Sequence, residues 1–89
     1  MVRRHLVITG HVQGVNFRFE TYRTARSLGA VGWVRNQPDG TVEAEVEGPD
    51  DVVDQVVAWC QDGPSAAVVE SVEVTDVSPL GETSFEIQG

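Results

Sequence analysis

Hydrophobic periodicity in this chain alternates between two and a helical repeat in the order strand, helix, strand, strand, helix, strand, all within 89 residues. Few architectures bury apolar faces arranged in that order. Residues 4–9 read as a first strand, with Leu6 and Ile8 on one face and His5, Val7 and Thr9 on the other. A turn over Gly10–Asn16 leads into a helix predicted from Phe17 to Leu28, where Phe19, Tyr22, Ala25 and Leu28 recur every three residues and Gly29 takes the C′ position. That stripe is expected to face a sheet. Val31–Asn36 and Thr41–Glu47 read as strands joined by Gln37-Pro38-Asp39-Gly40. In the second, Val42, Ala44 and Val46 alternate with Glu43, Glu45 and Glu47, predicting one buried face and one solvated acidic face. Val53, Val56, Val57 and Cys60 fall at i, i+3, i+4 and i+7 of a second helix, which Asp50 and Asp51 open, Trp59 flanks and Gly63-Pro64 ends. Val68–Val77 gives a fourth strand, and Ser84–Gln88 a short last one.

The order β-α-β-β-α-β predicts a ferredoxin-like split βαβ sandwich, an antiparallel sheet with both helices on one face. Residues 1–89 fit a single domain, a size at which folding buries roughly 60–65% of the unfolded chain's surface. In a split βαβ unit the first two strands run parallel with the third between them. Their C-terminal ends then share one edge of the sheet, which puts the Gly10–Asn16 turn and Asn36 side by side. The lone Cys60 excludes an intramolecular disulfide and a cysteine-based zinc site, and neither C-x-x-C nor H-E-x-x-H occurs, so no metal is expected. Leu6-Val7-Ile8, after Arg3 and Arg4, is too short an apolar run for a signal-peptide core or a membrane span, and a cytoplasmic location is expected.

Charge is split along the chain. All six arginines precede Asn36, with only Glu20 opposing them, whereas the other thirteen acidic residues follow it. At a net charge of −8 the molecule as a whole repels polyanions, which argues against a nucleic-acid partner. A small anion near Arg18 is easier to accommodate. Arg23, Arg26 and Arg35 either steer anions toward the same place or are scattered surface charge.

The turn Gly10-His11-Val12-Gln13-Gly14-Val15-Asn16-Phe17-Arg18 carries the chemistry. Its glycines let the backbone approach a ligand, its amides can converge as an anion nest beside the free N–H groups of a helix start, and Arg18 adds a permanent forked charge. Neither G-x-G-x-x-G nor G-x-x-x-x-G-K-[ST] can be read from Gly10 and Gly14, which excludes the common nucleotide loops. The residues alone leave two readings open, a phosphate cradle and a glycine-containing turn beside a solvated arginine. Asn36 is likewise either a site residue or one that leads into the turn.

Gly10-x-Val12-Gln13-Gly14-Val15-x-Phe17-Arg18 followed by Gly32-Trp33-Val34-Arg35-Asn36-x-x-Asp39-Gly40-x-Val42-Glu43 resembles the two signature segments of the acylphosphatase family. The resemblance continues through Gly48-Pro49 and Gly63-Pro64 and covers almost the whole chain. It implies a metal-independent, cofactor-free hydrolase of acyl phosphates, with Arg18 binding phosphate and Asn36 positioning the nucleophilic water. The backbone amides of His11, Val12, Gln13, Gly14, Val15 and Asn16 complete the implied phosphate loop. Inorganic phosphate and sulfate are expected to compete, and a monomer is the expected state. The alternative is a non-catalytic anion- or nucleic-acid-binding module on the same fold. Against it, the aromatic residues lack the central-strand arrangement of RNA readers. His11 falls at a position the family pattern does not fix and reads as solvent-facing; His5 and Cys60 read as packing residues, and Asp39 as a turn residue. Two departures stand out: Val68 where a basic residue is expected, and an end at Phe85-Glu86-Ile87-Gln88-Gly89 without a final Arg or Tyr.

Overall fold

A computed structural model describes all residues from Met1 to Gly89. Its elements are β1 (Val2–His11), α1 (Phe17–Leu28), β2 (Val31–Asn36), β3 (Val42–Gly48), α2 (Asp50–Asp62), β4 (Val68–Val77) and β5 (Phe85–Ile87). No helix is long and apolar enough to cross a membrane. The strands form one sheet in the order β4-β1-β3-β2-β5. β3 lies antiparallel between β1 and β2, so these two run parallel to each other and finish at the same end. The ferredoxin-like architecture follows, with α1 and α2 packed on each other and on the sheet.

One feature departs from the expected antiparallel sheet: β5 pairs parallel with β2, which makes the sheet mixed. Chain direction explains it. β4 finishes beside Arg3, at the end where β1 and β2 begin, and residues 78–84 cross that end before Phe85 pairs with Gly32. A strand entered from there runs the way β2 runs.

Fourteen apolar residues form the core between sheet and helices. Leu6, Ile8, Val34, Val42, Ala44 and Val46 supply the sheet side and Val53, Val56 and Cys60 the α2 side, all fully buried. Each large aliphatic side chain so buried contributes about 1.5–3 kcal/mol. On α1 the fully buried set is Phe17, Thr21 and Ala25; of the expected stripe Ala25 is buried and Tyr22 and Leu28 pack partly buried against the core, but Phe19 is 45% exposed. At about 100° per residue, a spacing of four advances only 40° per step, whereas a strict spacing of three carries Phe19 and Leu28 to opposite sides of the helix. Phe17 therefore turns inward against Trp59 of α2, ring centroids 5.5 Å apart.

The expected solvated acidic face of β3 is instead an ion-paired one. Arg3, 1% exposed, donates from Nε to Glu45 at 2.6 Å and from Nη1 to Glu47 at 3.1 Å and Glu82 at 2.9 Å. Glu47 is also buried, and it accepts the backbone N–H groups of Leu80 and Gly81. Those N–H bonds, working against burial and helped by Arg3, hold its carboxyl below the usual range. Further along the strand, Glu43 sits between His5 at 2.6 Å and Arg35 at 2.6 Å.

Candidate active site

Asn36 is the last residue of β2 and pairs with Val42, which on its other side pairs with Ile8 of β1. A single strand thus separates β1 from β2, a gap of roughly 10 Å. The turn leaving β1 and the end of β2 together bound an open cleft of about 630 Å³. Residues Val12 to Phe19, Gln13 excepted, line it together with Asn36 and Ala66.

The start of the turn is fixed by Gly10, which has φ 135° at the bulge where β1 shifts register against β4. A Cβ there would stand 2.1 Å from the Val68 carbonyl oxygen, so no other residue fits without moving β4. Further on, Gly14 (φ 74°) and Asn16 (φ 69°) are left-handed with Val15 between them at negative φ. Alternating hand of this kind turns successive N–H groups toward one side. Asn16 is the N-cap of α1, yet its side chain caps nothing. The amides from Gln13 to Phe19 accordingly donate to no other part of the protein, at the positive end of a helix dipole.

Arg18 stands apart from the other five arginines. Arg3, Arg4, Arg23 and Arg35 each meet a carboxylate side chain, and Arg26 lies on the Tyr22 ring. Arg23 and Arg35 are thus locally compensated by carboxylates, whereas Arg26 rests on a neutral ring. Arg18 alone has neither kind of partner; its Nη1 donates to the Gly89 oxygen at 2.6 Å, and its Nε and Nη2 donate to nothing in the protein. Asn36 is the complementary case. Its Oδ1 is buried and accepts no hydrogen bond within the protein. A buried acceptor without a donor is costly unless water or a ligand supplies one.

Two residues of the expected amide loop are placed differently from the rest. His11 ends β1, pairs with Val68, is exposed and does not line the cleft. Gln13 turns its side chain away, and its Nε2 donates to the carbonyl oxygens of Gln37 at 2.7 Å and Thr41 at 2.9 Å. It thereby ties the turn to the β2–β3 connection next to Asn36. The sequence offered no periodic signal for this strut, nor for Ala66, which reaches the cleft from the segment after α2. No group of three or more His, Cys, Asp or Glu side chains comes together to hold a metal ion.

The Acylphosphatase family model matches residues 4–87. An acylphosphatase from Trichormus variabilis is 51% identical over 88 residues, covering 99% of this chain and 87% of its own length. Another, from Thermococcus kodakarensis, is 50% identical over 88 residues and covers 99% of this chain and 97% of its own. The crystal structure of acylphosphatase from Bacillus subtilis superposes with a TM-score of 0.96 at 32% identity, with both chains covered in full. Matches of this length leave no element of the sandwich and no part of the cleft outside the shared region, and the chain belongs to the acylphosphatase family.

Proposed function

We propose that this acylphosphatase holds the phosphoryl group of its substrate on the free amides between Gln13 and Phe19 and on Arg18, while Asn36 orients the attacking water. The observation that carries this reading is the meeting, in one cleft, of the only arginine without a carboxylate side chain or ring as partner and a buried amide oxygen without a donor. Arg18 and the helix N-terminus stabilise the phosphoryl oxygens as charge redistributes in the transition state. Asn36 Oδ1 accepts a hydrogen bond from the water and turns its lone pair to phosphorus, in line with the leaving carboxylate. The water oxygen–phosphorus bond forms as the carboxyl oxygen–phosphorus bond breaks. One water proton stays on the attacking oxygen and the other passes to a phosphoryl oxygen, so an acyl phosphate dianion and water give a carboxylate and dihydrogen phosphate. Because carboxylate leaves readily, no strong protein base is needed, which agrees with His11 lying outside the cleft.

In this reading the 89 residues act as one unit, a monomer competitively inhibited by phosphate and sulfate. A reducing, cytoplasmic setting suits its single thiol, which burial pushes up to about 12. A nucleic-acid-binding role is not favoured. Trp33, the aromatic residue on the open face of the central strands, is already covered by Arg35, 5.1 Å from its ring, and edged by His5.

Hydrolysis of benzoyl phosphate in excess EDTA tests the proposal. Arg18→Ala and Asn36→Ala are expected to lose on the order of 10²–10³-fold or more in kcat with unchanged circular dichroism. A folded Arg18→Ala variant with undiminished turnover would remove Arg18 from the mechanism.

A further inference from the structure

Nothing in the phosphate cradle says where the acyl group goes, but the rest of the cleft does. Arg18 is its only charged lining residue, so once the phosphoryl group is bound there is no second cation for an anion carried on the acyl part. Of the apolar lining groups, Val12 and Phe17 are 1% exposed and closed to contact. Phe19 differs. It is 45% exposed, the only exposed large aromatic residue in the molecule, and it directly follows the phosphate-binding arginine.

Its ring is also braced. The Tyr22 ring lies 6.2 Å away at 32°, and Tyr22 is held in turn by Arg26, which donates from Nη1 to the Tyr22 hydroxyl at 2.5 Å and places its guanidinium 5.3 Å from the ring centroid. A ring fixed from one side offers its other surface with little ordering cost, and aromatic or branched groups gain most from such a surface.

We propose that Phe19 is the platform on which the acyl group lies, making the substrate class acyl phosphates with apolar, especially aromatic, acyl groups that carry no further anion. The proposal rests on the phosphate-binding reading of Arg18. Phe19 determines specificity here and takes no part in bond making.

The test compares kcat/KM for benzoyl phosphate and acetyl phosphate in wild type, Phe19→Ala and Phe19→Tyr, with the inhibition constant for inorganic phosphate measured alongside. In Phe19→Ala the benzoyl-to-acetyl ratio is expected to fall roughly tenfold, mostly through KM, and Phe19→Tyr is expected to restore it. A ratio within twofold of wild type in Phe19→Ala, or an equal loss for both substrates, overturns the platform. In wild type, butyryl phosphate is expected to be preferred over succinyl phosphate, which is similar in length but ends in a carboxylate; equal or reversed preference likewise overturns the substrate class. Failure of the phosphate reading has another signature, retained phosphate inhibition in Arg18→Ala, which leaves the benzoyl-to-acetyl ratio untouched.

Discussion

At the scale of single residues, the cleft is braced by a side chain that does not line it. Gln13 holds the turn after β1 against the β2–β3 connection through two hydrogen bonds from one amide nitrogen. Gln13→Glu keeps the shape but removes the donors and sets a carboxylate against two carbonyl oxygens. The expected result is a fall in kcat of roughly 10–100-fold, since a shift of about 1 Å in a positioned group costs that much. Phosphate inhibition should weaken in parallel while far-UV circular dichroism is unchanged; undiminished turnover would show that the turn holds its shape without the strut. The meeting of Arg18 and Asn36 in one cleft was legible because they sit at fixed places in long motifs, and topology alone brought the motifs to one end of the sheet. The side-chain contact of Gln13 was not legible, because a long-range bond to a main-chain oxygen leaves no trace in local spacing. His11 lies within the turn but outside the cleft, since its pairing with Val68 extends β1 past the expected last residue, Thr9.

At the scale of elements, the crossing segment 78–84 is where local pattern and structure part. Val42, Ala44 and Val46 announced a half-buried strand, yet Glu45 and Glu47 opposite them serve an arginine forty-two or more positions away in sequence, and Glu47 also serves a segment with no periodicity of its own. Glu47 gathers Leu80, Gly81 and Arg3, and so fastens the path by which β5 reaches β2. Removing its charge leaves Arg3 buried and short of a partner, and Glu47→Gln is expected to destabilise the fold by about 3 kcal/mol near pH 7. The pH dependence has a definite sign. Because the folded carboxyl lies below its ordinary value of 4.5, its contribution is complete above that pH and is lost as pH falls through the folded value. Glu43, opposed by burial but lowered by His5 and Arg35, acts in the same direction. Urea unfolding of wild type and Glu47→Gln should therefore show a gap at pH 7 that narrows below about pH 4.5. A gap independent of pH would mean that packing, rather than charge, ties the segment down.

At the scale of the whole molecule, the uneven charge along the sequence becomes ordered in space. β1, carrying Arg3 and Arg4, is inserted between β3 and β4, where Arg3 meets Glu45 and Glu47 and Arg4 meets Asp76 as well as Asp54 of α2. Apart from Arg18 and Arg26, what remains unpaired is acid, and part of it lies along β4. That strand is a sheet edge ten residues long with Val68 and Val74 exposed, a template for pairing with another chain, whereas the opposite edge, β5, has only three residues. Glu70 and Glu73 on β4 form no ion pair in the protein, and in a second copy laid antiparallel along this edge they would face like charge in an already anionic pair. We propose that they keep the longer edge single. Sedimentation at pH 7 is expected to give one species of 9.7 kDa, and Glu70→Thr/Glu73→Thr, which keeps strand propensity and removes the repulsion, is expected to self-associate with rising concentration. Wild type should do the same as the pH approaches 4.4, where its net charge vanishes. If the double variant stays monomeric at concentrations where acidified wild type associates, the repulsion belongs to the molecule's net charge and not to its edge.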